Sequence, residues 1–166
     1  VDAIARLSGD EAGRARERLR EYIENNRHEI RFRPDEGELK TEGEHFDLAQ
    51  LLDSARDHLD EDGLEEIAIT WGRDGRGSKS IRLGSYDFDR RLVRIHPALD
   101  QDWVPEYFVE YVVYHELLHA VCPPRENGER HSVHTPEFCE MERQFPRYDE
   151  AVAWEDENLK RILNRS

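Results

Sequence analysis

The chain is poor in cysteine, in long apolar runs and in positive charge, and each shortage closes off a class of protein. Its 2 cysteines in 166 residues, at positions 122 and 139, form no C-x-x-C pair. No disulfide framework can be built from them, and such usage agrees with a reducing compartment, so the expected location is the cytoplasm. No apolar stretch approaches the roughly 20 residues of a membrane span or the core of a signal peptide, and the opening VDAIARLSGDEAG is mixed and polar. A membrane is therefore not an expected partner. Basic residues number 24 against 38 acidic ones, a net charge of -14. Nucleic-acid binding draws on clustered Lys and Arg that displace counterions, so direct binding to DNA or RNA is not expected either. Positions 1–33 are near neutral, with eight Arg against seven acids.

What remains is a globular composition, 37% hydrophobic and 37% charged, and long enough for one domain with a core. Its most informative feature is His115-Glu116-Leu117-Leu118-His119. H-E-x-x-H on a helix projects two imidazoles from nearly one face, one turn apart, where both can reach a single metal ion. Glu116 sits a step round the helix. There it is too far round to be an equivalent ligand but placed to take a proton from water at the metal. With 8 His in the chain, such a motif arises by chance with a probability of roughly 5%, so the flanks have to carry the case.

Upstream, Asp102 to Glu106 reads as a helix start, with Asp102 as cap, Pro105 as first helical residue and Glu106 in the first turn. Tyr107, Phe108, Tyr111, Val112, His115, Leu118 and His119 then form one apolar stripe. Cys122-Pro123-Pro124 stops the helix. Downstream, Thr135 and Pro136 read as cap and first residue of another helix, with His134 immediately before them. The 14 residues between His119 and His134 suffice to turn the chain back, so His134 is the favoured third ligand. His131, in a stretch read as flexible, is its rival, and Glu137 or Glu140 is a carboxylate alternative. Cys122 and Cys139 are read as small core residues, not ligands.

The order of elements is α+β. Ser8 with Glu11 caps a first helix whose arginines, Arg14, Arg16, Arg18 and Arg20, form a solvated face laced with Glu. A polar, turn-rich stretch follows at 33–44. A second helix runs from Asp47 through Leu59 and stops near Gly63. Strands are expected at 67–71, 79–83 and 92–95, with turns at 74–77 and 87–90. A last helix is capped by Asp149, with Val152, Leu159, Ile162 and Leu163 inward. The expected layout is a single domain over 1–166, comprising an N-terminal helix and loop at 1–45, a core at 46–145 and a C-terminal helix at 146–166.

HELLHA followed by HTPEF resembles the SprT-like zinc metallopeptidases, whose pattern is H-E-x-x-H-A, a variable loop, then H-G-x-x-F. Thr135 stands where that family commonly has Gly. The segment RLGSYDFDRRLVRIHPAL, 82–99, is similar to the paired strands that precede the family's active-site helix. The resemblance covers about half the chain. It implies a zincin-like α+β fold, a small antiparallel or mixed sheet packed on the active-site helix, with flanking helices. It further implies zinc held by His115, His119 and His134, with Glu116 as general base.

The expected function is accordingly a zinc-dependent metallopeptidase acting on a protein or peptide. An edge strand, at 92–96 or in the neighbouring run, would align the extended substrate. Tyr148, Arg147 and His131 are the oxyanion-stabilising residues to consider. Two other classes stay open, a catalytically silent zinc-binding module of the same fold and a zinc hydrolase of non-peptide amides.

Overall fold

A computed structural model of the chain describes residues 39–61, 63–73, 82–122, 125–127, 130–132 and 134–163, with the backbone alone at 125–127, 130–132 and 163. All lie in the unit Gly37–Ser166. The expected helix after Ser8, the turn at 74–77 and positions 79–81 fall outside the described residues.

Helix α1, Leu48–Asp57, begins where Asp47 accepts the Ala49 amide at 2.9 Å, and it buries Leu48, Leu51, Leu52 and Ala55 at three- and four-residue spacings. It ends short of the expected Gly63, because the His58 amide turns to the Ala55 carbonyl. The entry to α1 is pinned from a distance. Asp100 accepts the amides of Glu44, His45 and Phe46 at 2.6, 2.8 and 3.2 Å. Gly43 is required there, since a Cβ would come within 2.5 Å of the Asp100 carboxylate.

Strands β1 (Ala68–Trp71), β2 (Gly84–Asp87) and β3 (Leu92–Ile95) form one mixed sheet in the order β1-β3-β2, with β1 parallel and β2 antiparallel to β3. Two expectations are adjusted. A strand lies at 84–87, where Gly84-Ser85-Tyr86-Asp87 pairs along β3 despite its turn-like composition; of the strand expected at 79–83, positions 82 and 83 lie outside any strand and 79–81 lie outside the described residues. The stretch 92–95 is the central strand, so its backbone is engaged on both sides and cannot receive a substrate; the edge beside it is β2.

Helix α2, Glu106–Val121, carries the HELLH motif. It starts one residue later than expected, with Pro105 as cap and no side-chain cap bond from Asp102; the Pro105 carbonyl accepts the Phe108 and Val109 amides. Nor is it amphipathic. Val109, Val113 and Leu117 are buried as fully as Phe108, Val112 and Leu118, because the helix touches α1, β2, β3 and both helices that follow. A helix walled on most sides needs apolar residues on most sides.

The stretch read as flexible after α2 is a two-stranded hairpin, β4 (Arg125–Asn127) with β5 (Arg130–Ser132). Helix α3, Pro136–Glu142, and helix α4, Tyr148–Leu163, complete the fold. Asp149 lies in the first turn of α4, one residue inside its start, and is not its cap. Ile162 is fully buried, while Val152 and Leu159 are half-buried. Among the described residues no helix is long and apolar enough to cross a membrane.

Candidate metal centre

His115 and His119 leave α2 one turn apart, and His134 meets them from the residue before the α3 cap. The cap forms as the sequence reads: the Thr135 hydroxyl accepts the Phe138 amide at 3.2 Å, and Pro136 opens the helix. Phe138, fully buried, then anchors α3 under the histidines, its ring centroid 5.1, 4.8 and 4.7 Å from those of His115, His119 and His134.

The three imidazoles form a nearly equilateral triangle, with centroids 5.2, 5.1 and 5.2 Å apart. That spacing is informative. Tetrahedral nitrogens about 2.05 Å from an ion, with each ring centroid about 1.15 Å further out, put centroids about 5.2 Å apart. One nitrogen from each ring lies within 4.8 Å of the others, so the three histidines are close enough to hold a metal ion. Their exposure is graded, with His119 buried, His115 intermediate and His134 exposed, so the cluster opens on the His134 side. Among the described residues neither cysteine joins the group, nor do Glu137 and Glu140, both of which are exposed. Cys122 instead contacts the Met141 sulfur at 3.5 Å. The rival ligand His131 lies in β5, and its side chain is outside the described residues.

Electrostatics favour the neutral, metal-ready form in two of the three rings. Burial, together with the neighbouring His115 and His134, lowers the His119 pKa to about 4, so this imidazole is neutral at pH 7 with a lone pair to give. Its Nδ1 is buried with no hydrogen-bond partner. Burial also leads the lowering of the His134 pKa, with the His115 charge second. For His115 burial again lowers the pKa, but the Glu142 hydrogen bond and the charges of Glu116 and Glu142 outweigh it and the net shift is upward.

Glu116 is 6% exposed. Burial raises its pKa to about 7, against the opposing pull of His115 and Arg82. It lies directly under β2, where a Cβ on Gly84 would come 2.6 Å from Glu116 Oε1. Glycine is needed here for close approach, since it lets the edge strand settle onto the carboxylate.

Sequence reading missed three features. Gly84 is one, and Arg82, whose charge is felt at both Glu116 and His119, is another. The third is Glu142, whose Oε1 lies 2.6 Å from His115 Nδ1 and accepts the Tyr111 hydroxyl at 2.9 Å. A signal for it existed, because Glu142 is one turn beyond Phe138 on the same helical face. Of the expected oxyanion residues, Arg147 lies 3.7 Å over the Tyr107 ring and pairs with Glu150, and Tyr148 packs edge-on against Tyr111 with centroids 6.0 Å apart.

Comparison with known proteins finds no family model that matches the chain and no matching curated protein or solved structure. The likeness to SprT-like peptidases rests on the residues themselves.

Proposed function

We propose that the chain is a zinc-dependent metallopeptidase in which His115, His119 and His134 hold the metal and Glu116 is the general base. The carrying observation is the triangle of imidazoles beside a buried carboxylate that lies under the edge of a sheet. Three imidazoles suit zinc, which would supply Lewis acidity to a carbonyl and make water more acidic.

The chain's own residues supply the rest. A carboxyl with a pKa of about 7 takes a proton and returns it near neutral pH with little penalty either way. Glu116 removes the proton from water as the oxygen adds to the scissile carbonyl carbon, then delivers it to the amine as the C–N bond breaks. Strand β2 aligns the substrate. The His96 amide donates to the Leu83 carbonyl at 2.8 Å, and alternation along an antiparallel pair then turns the amides and carbonyls of Gly84 and Tyr86 away from β3. An extended peptide adding there as a further strand would run past Glu116. Arg82, two residues before β2, has a charge felt at both Glu116 and His119, and its role is to face a developing oxyanion.

The test is the metal content of the purified chain and its cleavage of casein, alongside His115→Ala and Glu116→Gln. The expected result is one zinc per chain, lost in His115→Ala, and cleavage that Glu116→Gln abolishes while keeping its zinc. Zinc without any Glu116-dependent cleavage would leave a binding module of the same architecture. A metal-free wild type would overturn the reading at its base.

A further inference from the structure

Beyond the three histidines, the structure contains a carboxylate that serves none of the steps above. Glu142 ends α3, half-buried, and a single oxygen of its side chain meets two groups of α2: His115 Nδ1 at 2.6 Å and the Tyr111 hydroxyl at 2.9 Å. Tyr111 and His115 are one turn apart on α2, so both reach the same point. The last turn of α3 is fixed to α2 a second time, by the Tyr114 hydroxyl donating to the Met141 carbonyl at 2.8 Å. Glu142 is therefore not a long side chain sampling solvent. Its side chain is 14% exposed and held from two sides.

We propose that Glu142 is the positioning residue of the centre, holding His115 as the Nδ1–H tautomer so that Nε2 carries the lone pair toward His119 and His134. The first part follows from chemistry. An ionised carboxylate only accepts hydrogen bonds, so the nitrogen 2.6 Å away must be the one that bears hydrogen. The other ring nitrogen is then the acceptor, and a ligand nitrogen must be unprotonated. Glu142 is not part of the three-histidine group, and with its oxygen on His115 Nδ1 the nitrogen left for a metal is Nε2. Tyr111 keeps it there, since burial, with the Glu142 charge second, raises the phenol pKa and the hydroxyl stays a donor. Carboxylate partners of this kind fix ring orientation and make a ligand imidazole more basic. Among the described residues His119 has no counterpart, for its Nδ1 is buried without a partner.

The metal half of this inference rests on the proposed centre, so the experiment has one arm that needs no metal. Long-range proton–nitrogen NMR of the metal-free chain, at a pH where the ring is neutral, reads the His115 tautomer directly. The wild type is expected in the Nδ1–H form, and Glu142→Ala is expected to lose that preference. In the second arm, chelator competition measures zinc affinity for the wild type, Glu142→Gln, Glu142→Ala, His115→Ala and the His115→Ala/Glu142→Ala double variant. Glu142→Ala is expected to weaken zinc about 10- to 100-fold. Glu142→Gln should fall between it and the wild type, because an amide oxygen still accepts from Nδ1–H but lacks the charge. In the His115→Ala background the second substitution should cost no further affinity, because Glu142 acts only through that ring. A tether that merely stabilises α3 would lose affinity equally in both backgrounds and would overturn the proposal. So would a tautomer unchanged in Glu142→Ala. If the wild type takes up no zinc yet its tautomer depends on Glu142, the metal centre fails and the hold on His115 stands.

Discussion

His115 and His119 come from the C-terminal half of a helix walled by three other helices and a sheet, whereas His134 comes from the residue before the cap of a seven-residue helix. The near end of that short helix is held by the cap and the Phe138 ring, and its far end is bonded to α2 through Glu142 and Met141. The first pair cannot move without unpacking the core, since Leu117 and Leu118 between them are fully buried. The third ligand is exposed, and its position depends on Thr135 and Phe138. The contrast separates two jobs: the helix fixes where a metal could sit, and the short helix decides how firmly the triangle closes. The group meets solvent on the His134 side, while Phe138, one turn on, joins α3 to the core.

The strongest way to break this comparison is to remove one ligand from each side. Both His119→Ala and His134→Ala are expected to weaken zinc by more than the roughly 100-fold that an outer partner contributes. Their effects on the metal-free fold should differ. His119 is 8% exposed, so truncation leaves a cavity in the core and costs about 2 kcal/mol of stability. His134 is exposed, and its loss should stay within about 0.5 kcal/mol. Urea denaturation in the presence of a chelator reads both. Equal destabilisation would mean that the third histidine is as deeply built in as the pair, and the two-part description would fall.

The difference also explains what the sequence could and could not reveal. His115, Glu116 and His119 are legible because helical periodicity is local, and Thr135-Pro136 is legible because a cap and a first-turn proline are short-range chemistry. The mixed α+β character follows from the same signals, in part. Strand order does not. That Leu92–Ile95 is central and Gly84–Asp87 the edge depends on pairings between segments with no local signature, and Gly-Ser-Tyr-Asp reads as a turn by composition. Gly84 carries the reason in its contact with Glu116, 32 positions away. Glu142 was hidden because one cannot tell from α3 alone which face meets α2, although Phe138 marks that face once it is known to be buried. The even burial of α2 is likewise a property of its neighbours; the sequence offered one stripe where the fold uses nearly the whole circumference.

The buried side of the site should also carry a pH signature. Burial lifts the Glu116 carboxyl from an ordinary 4.5 to about 7. A folded-state pKa above the unfolded one means that the native state binds the extra proton. Its contribution to stability is complete below about pH 4.5 and is lost as pH rises through about 7. The swing is about 3 kcal/mol for a shift of this size. Glu116→Gln removes the titration while keeping the shape, and the histidines titrate in both proteins. Metal-free Glu116→Gln is therefore expected to match the wild type near pH 4.5 and to exceed it by about 3 kcal/mol at pH 8. Parallel stability curves for the two proteins would place Glu116 in water and remove the argument for a base poised near neutrality.

The smallest expected effect lies on the exposed side and bears on the one place where the HTPEF segment departs from the SprT-like pattern. The Thr135 hydroxyl caps α3 by accepting the Phe138 amide, and Thr135→Ala should cost about 1 kcal/mol of cap stability. Because the residue before the cap is His134, the loss should appear in the metal as well, as zinc affinity lowered about fivefold. Thr135→Gly is the sharper substitution. Glycine caps a helix nearly as well as threonine, within a few tenths of a kcal/mol, so it should retain almost all of the affinity that alanine loses. If both variants behave like the wild type, the cap does not set the position of His134, and Phe138 together with the bonds of Met141 and Glu142 to α2 anchors the third ligand. If glycine falls with alanine, the hydroxyl does something beyond capping, and exchanging Gly for Thr at this position is not the neutral swap that helix-cap energetics make it.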